Sequence, residues 1–272
     1  MTIAVEEASK KRFLEIRKWL SAPDPSPFYG QALKMRDPNT GKWFLDGEKF
    51  ASWRQEPGSR LWLHGISGCD KTILSASIVE KLGHRDVEEE DEIGKLVGCA
   101  YFFFNFREAH LQTPIGMLKS IISQLVDEPQ KITDSLEARN SSGDTSLNAM
   151  LEILKDTLTK HSMVYFIIDA LDEAEDHRSL MDIIGRIDGW KLHQLRMLIT
   201  SRKEVDTEEG IRRLDGRDMS EISVAPETGL VDDDIQKWVR AQLLNDESLQ
   251  KWNRCNDLRE LIISKMDNAK GM

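Results

Sequence analysis

Lys71 and Thr72 follow a turn that reads Gly65-Ile66-Ser67-Gly68-Cys69-Asp70, an order of residue types suited to holding phosphate. The underlying pattern is G-x-x-x-x-G-K-[ST], in which loop N–H groups and the start of a helix cradle an anion. Gly65, Lys71 and Thr72 satisfy it, whereas Asp70 replaces the second glycine. Gly65, Ser67, Gly68, Cys69, Asp70, Lys71, Thr72 and Ile73 are therefore the residues expected around a bound ATP or ADP. Lys71 would sit on the β- and γ-phosphates, and the Thr72 hydroxyl would ligate Mg²⁺. Asp70 puts a carboxylate where backbone should meet an anion. At ~5 Å and an effective dielectric of ~20, that repulsion is roughly 3 kcal/mol per phosphate charge. A backbone with positive φ at this position would add about 1–3 kcal/mol of strain.

Two further groups could complete such a site. Asp169-Ala170-Leu171-Asp172-Glu173 directly follows the apolar run Val164–Ile168, and a carboxylate at the tip of a buried strand is suited to anchoring Mg²⁺. The alternative is an acidic cluster favoured by a helix N-terminus. Thr200-Ser201-Arg202 follows Leu195–Ile199, and an arginine there can sense a γ-phosphate, unless it is a surface residue.

The elements that must position these residues are legible from hydrophobic spacing. Arg60–His64 reads as a strand into the loop, and Ile73, Leu74, Ile78, Val79 and Leu82 recur at helical spacing behind it. Residues 5–20 read as an amphipathic helix, ended by the prolines between Ser21 and Pro27. Residues 37–43 read as a loop and those around Phe50 and Trp53 as a helix. Asp86–Glu92, with six carboxylates, reads as a solvated connection. Val97–Phe106 is expected as a strand, and Thr113-Pro114 as the N-cap and first turn of a helix. Asn140–Gly143 reads as a polar loop before a helix over about 145–160. Val164–Ile168 suits a central parallel strand, 177–187 a helix, and 195–200 and 218–224 further strands. Helical spacing resumes from Leu230. Strands alternating with helices predict an α/β fold: a three-layer sandwich with a parallel sheet and helices on both faces, with ligands at the carboxyl ends of the strands. The expected division is a helical lead-in over 1–57, a P-loop core over 58–225, and a helical region starting at 226–272. The ending just after an amphipathic helix reads as a cut, with Leu258, Leu261 and Ile262 expected to be exposed.

Composition narrows the class. The 272 residues are 40% hydrophobic and 31% charged, with a net charge of −10, as in ordinary globular domains. That acidic balance argues against a nucleic-acid partner, and Lys10-Lys11-Arg12 and Arg212-Arg213 read as solvated faces. Three cysteines are too few and scattered for a disulfide framework or a zinc site, and the six histidines form no H-x-x-x-H pair. The charged start shows no secretory signal, and the longest apolar run, Val97–Phe104, is too short to cross a membrane. A cytoplasmic protein with no membrane partner is expected. G-x-S-x-G is not met at Gly65–Cys69, so a nucleophile elbow is not indicated. Trp43, Phe44, Trp53 and Trp62 read as core aromatics, with Trp43 or Phe44 the candidates for a place near adenine.

Taken together, these segments resemble the NACHT domains, a branch of the STAND class of P-loop NTPases, over about residues 15–272. The likeness is strongest to the fungal NOD-like receptor group whose N-terminal part is nephrocystin-like. It rests on Trp19-Leu20-Ser21-Ala22-Pro23-Asp24-Pro25, Gly41-Lys42-Trp43-Phe44-Leu45, Leu61-Trp62-Leu63-His64-Gly65, Asp169–Glu173 and Thr200-Ser201-Arg202. The resemblance implies a nucleotide-dependent signalling switch, at most a slow NTPase, that self-associates or engages other signalling proteins. It implies Asp169 as the Mg²⁺-side carboxylate, Asp172 or Glu173 as the residue orienting water, and Arg202 as the sensor. The family has Gly where this chain has Asp70, and adds a winged helix and repeats that are absent here, so a degenerate P-loop scaffold stands as the alternative.

Overall fold

The computed structural model describes residues 2–36, 41–83, 96–214 and 219–224. Four helices come first: α1 (Thr2–Leu20), α2 (Ser26–Met35), α3 (Lys42–Leu45) and α4 (Glu48–Gln55). Strand β1 (Arg60–His64) then leads into α5 (Lys71–Gly83), and β2 (Leu96–Phe103) is followed by α6 (Pro114–Leu125), α7 (Asp134–Ser142) and α8 (Leu147–Thr159). Strand β3 (His161–Asp169), α9 (His177–Gly189), β4 (Leu195–Ser201), α10 (Val205–Arg212) and β5 (Ser220–Ser223) complete the described chain.

The five strands form one parallel sheet in the order β2-β3-β4-β1-β5. Alternation along each strand feeds two cores. Phe166, Ile168, Met197, Ile199 and Trp62 point to one face, against Leu118 and Ile122 of α6, Leu154 of α8 and Ile184 of α9. Leu61, Leu63, Tyr165, Ile167 and Leu198 point to the other, against Phe50 and Trp53 of α4 and Leu74 and Ile78 of α5. Each fully buried Leu, Ile or Phe contributes about 1.5–3 kcal/mol, so both helical layers are required by the sheet's apolar faces. The three-layer α/β architecture expected from the sequence is the architecture observed. Because every pairing is parallel, the carboxyl ends of β1, β3 and β4 lie along one edge, in register at Leu63–Thr200 and Ile168–Ile199.

Thr113 caps α6 by accepting from the Gly116 N–H at 3.1 Å, with Pro114 in the first turn, as expected. Other local expectations differ. The proline-rich stretch does end α1 at Leu20, yet it also starts α2, because Pro27 occupies the first turn, where its missing N–H is harmless. Strand β2 stops at Phe103, short of Phe106. Asn140–Ser142 are helical, and Gly143 (φ +70°) ends that helix. Helix α10 was not visible in the apolar pattern, having only Thr207 and Ile211 buried. The expectations for 37–40, 86–92 and everything from Leu230 onward, including exposure of Leu258, Leu261 and Ile262, fall outside the described residues.

Candidate functional site

Strand β1 delivers the chain to the phosphate-type loop, and packing fixes its first turn. A Cβ at Gly65 would lie 2.7 Å from the Cys69 sulfur and 2.7 Å from the Val224 carbonyl, so only glycine fits. Gly68 has φ +81° and Asp70 φ +57°. The Asp70 carbonyl accepts the Leu74 N–H at 2.9 Å, opening α5. A non-glycine residue, though of a type that tolerates left-handed backbone better than most, therefore stands at the mouth of the helix. Its side chain reaches solvent within the cleft, where burial pushes the carboxyl pKa up against the opposing pull of Lys71.

Lys71 Nζ donates to the carbonyls of Gly65 (2.9 Å) and Ile66 (2.8 Å) and lies 3.5 Å from Cys69 Sγ. The ammonium is thus folded over the loop. The Cys69 thiol donates to the Ile66 carbonyl at 3.0 Å, and burial pushes its pKa up. That favours a neutral loop-filling thiol over a reactive one.

Asp169, 1% exposed at the tip of β3, joins the three elements. It accepts from Thr72 (2.7 Å), Ser75 (2.7 Å) and Thr200 (2.7 Å). Burial pushes its pKa up, opposed by those three hydroxyls and by Lys71. Thr200 in turn accepts the Ala170 N–H at 3.0 Å, tying β4 to the turn after β3. Ala170 is left-handed (φ +55°), which swings Asp172 and Glu173 onto a 3₁₀ turn above the cleft. Asp172 accepts both the Arg202 backbone N–H (2.9 Å) and its Nε (2.6 Å). Its carboxylate is only 5% exposed, while the Arg202 side chain is 49% exposed. Glu173 accepts the Phe106 N–H at 3.2 Å; burial raises its pKa, and Asp172 and Asp169 add to that rise.

The sequence-predicted residues Ser67, Gly68, Cys69, Asp70, Lys71, Thr72, Ile73, Asp169, Asp172, Glu173 and Arg202 all border one cleft of about 430 Å³, within the usual size for small-molecule sites. Gly65 lies beneath it as the acceptor for Lys71. The aromatic expectation is not met: Phe44 is buried (2%) against Phe50 at 5.3 Å, and neither it nor Trp43 borders the cleft. The cleft's aromatic wall is instead Phe28, Phe103, Phe104 and Phe106. Ser75 escaped the sequence reading, although its spacing three residues after Thr72 puts both hydroxyls on one helix face. The wall supplied by α2 escaped it entirely.

A phosphate-type loop at the tip of β1, facing a carboxylate at the tip of β3 across a parallel sheet, defines a P-loop-type α/β domain. A family model described as "Nephrocystin 3, N-terminal" matches residues 39–202. The chain belongs to that family. No curated relative matches it. Among solved structures, it is similar to the Aeropyrum pernix ORC1 protein in complex with DNA, at 16% identity and TM-score 0.49, over 84% of this chain and 59% of that one. It is also similar to Drosophila ORC bound to DNA (15%, TM-score 0.43, 83% and 53%) and to Drosophila ORC bound to AT-rich DNA and Cdc6 (12%, TM-score 0.41, 88% and 77%). The chain therefore spans just under six-tenths of the first of these and about half of the second. One expectation is corrected. Each of these neighbours is a complex with DNA, and a net charge of −10 is no ground for excluding nucleic acid. Net charge sums over a whole surface and says little about a local patch. No helix among the described residues is long and apolar enough to cross a membrane.

Proposed function

We propose that this chain is a nucleotide-binding switch module of NACHT type that takes ATP or ADP with Mg²⁺. The observation that carries this reading is the 2.7 Å hydrogen bond from Thr72 to Asp169, which joins the phosphate-type loop to the strand-tip carboxylate beside Lys71. The donor set suits the metal. Among the described residues no group of three or more His, Cys, Asp or Glu is arranged to hold a metal ion by itself. A hydroxyl and a single carboxylate fit an ion that keeps waters and takes phosphate oxygens. Thr72 and Asp169 would hold it, and the ion, when bound, neutralises charge on the β- and γ-phosphates. Lys71 would leave the Gly65 and Ile66 carbonyls to meet phosphate. Arg202 would read the terminal phosphate by exchanging its Asp172 partner for it. Asp172, whose Oδ2 is freed when the Arg202 side chain turns to phosphate while its Oδ1 keeps the Arg202 backbone N–H, or Glu173, whose pKa burial raises, would then orient a water. Any hydrolysis would be slow. In this reading residues 1–57 are a lead-in, 58–225 the switch core and 226–272 the start of a helical region. The module would act in the cytoplasm through self-association or other signalling proteins.

A second reading, a P-loop fold kept as an interaction scaffold, is favoured by Asp70 alone, whose carboxylate borders the cleft in a left-handed conformation. Titration of fluorescent ADP and ATP, with and without Mg²⁺, against the chain and its Lys71→Ala variant separates the two. Mg²⁺-dependent binding lost in Lys71→Ala supports the switch. Absence of binding even after Asp70→Gly supports the scaffold.

A further inference from the structure

Helix α2 is held against the P-loop helix by several independent contacts. Ala32 (5% exposed) packs with Ala76 (0%) and Phe103 (1%) in a small separate core. Tyr29 stacks on Tyr101 at 5.1 Å and on Phe103 at 6.4 Å between ring centroids. Arg36, just after the helix, pairs with Glu80 of α5. With these anchors, Phe28, Gln31, Ala32 and Met35 share one face at i, i+3, i+4 and i+7, and all four border the cleft that holds Lys71, Asp169 and Arg202. Three of the four are apolar. Gln31 is the polar side chain α2 brings there, exposed and without a hydrogen-bond partner among the described residues.

We infer that Gln31 is a specificity-determining residue of the nucleotide site, whose amide donates to the terminal phosphate of a triphosphate and so links α2 to nucleotide state. The inference rests on the nucleotide reading of the same cleft. The chemistry suits it. An amide carries two N–H donors and no charge, so it can favour phosphate without competing with Asp169 for Mg²⁺. The cleft that α2 borders holds the loop from Ser67 to Ile73 and the strand-tip groups Asp169, Asp172, Glu173, Thr200 and Arg202, whereas Trp43 and Phe44 lie elsewhere. So α2 and the groups that would face transferable phosphate line one cleft. Because Tyr29, on Tyr101 and Phe103, and Arg36, paired with Glu80, fasten the helix, a contact at Gln31 would pull on the whole N-terminal segment rather than on a loose loop.

The test uses the full chain in two backgrounds, unmodified and Asp70→Gly, with a non-hydrolysable ATP analogue and ADP, both with Mg²⁺. A hydrogen bond to a charged group is worth about 1.5–3 kcal/mol, a factor of at least tenfold. Gln31→Ala should therefore weaken the triphosphate about tenfold and ADP less than twofold. Gln31→Glu, similar in size but negatively charged, should weaken the triphosphate further. Gln31 is exposed, so both variants are expected to fold, and unchanged circular dichroism and thermal transitions check this. If Asp70→Gly binds nucleotide and Gln31→Ala changes neither affinity, or changes both equally, the inference falls while the nucleotide reading stands. If no background binds nucleotide, both fall together.

Discussion

Replacing Asp70 by glycine separates electrostatics from backbone strain at the one position where the loop departs from its pattern. Asp70 sits at φ +57° and faces the cleft. Relieving left-handed strain should stabilise the fold by roughly 1 kcal/mol. Glycine's extra freedom in the unfolded chain removes about 0.4–1 kcal/mol. The two nearly cancel, so thermal stability should barely move. Nucleotide affinity has no such offset. A carboxylate ~5 Å from one phosphate charge repels it by ~1 kcal/mol at the dielectric of water and ~3 kcal/mol at an effective value of ~20. Asp70 is solvent-exposed and neighbours Lys71, which puts the expected cost near ~1.5 kcal/mol, or about tenfold in affinity. Asp70→Asn should recover part of this, since the charge goes and the side chain stays. Adding Lys71→Ala to Asp70→Gly should remove the gain in binding, with a loss of stability from the bonds Lys71 makes to the Gly65 and Ile66 carbonyls, which the melts read separately. Fluorescent-nucleotide titration of the four proteins, with a thermal melt of each, reads both quantities. Equal and tight binding by the unmodified chain and by Asp70→Gly would refute the reasoning, because the loop would then accept a carboxylate at no cost.

Two further outcomes concern the scaffold that carries the site. Arg196, 7% exposed, donates to the carbonyls of Arg54 and Gln55 at the end of α4 and to those of His193 and Gln194, at 3.0–3.4 Å. Arg196→Ala should cost about 2–4 kcal/mol and lower the melting temperature by roughly 5–12 °C, with Arg196→Lys rescuing little, since a single ammonium cannot span four carbonyls. An unchanged melt would show α4 to be held by packing alone. His161 is buried (5% exposed), and burial holds its pKa below the ordinary 6.5, although the Thr157 carbonyl bonded to Nδ1 opposes this. A histidine with a lowered folded pKa binds fewer protons folded than unfolded below 6.5. Its contribution is therefore intact above that pH and is lost as pH falls through it. Denaturant titrations between about pH 7 and 5 should show this decline, shallower in His161→Gln. An identical slope in the two proteins would assign the acid sensitivity elsewhere.

The sequence by itself determined which polar residues stand at the strand tips and the layers that hold them. Glycine at 65 and lysine at 71 after an apolar strand, and a carboxylate at the end of Val164–Ile168, are local signals, because strand alternation, capping and loop conformation depend on near neighbours. The same locality explains the correct N-cap at Thr113 and the failures at α2 and α10. Pro27 reads as a breaker unless one knows that it lands in a first turn, and α10 buries too little to leave a pattern. Tertiary structure decided everything that depends on which strand lies beside which. The order β3-β4-β1 sets Thr200 between the loop and Asp169, so one carboxylate gathers hydroxyls from residues 72, 75 and 200. It also paired Asp172 with Arg202, two residues the sequence assigned to separate tasks. Finally, it brought α2, some forty residues upstream of the loop, onto the cleft as a wall. No spacing rule announces such a contact, because it arises from α2 and the P-loop helix burying small residues, Ala32 and Ala76, against each other.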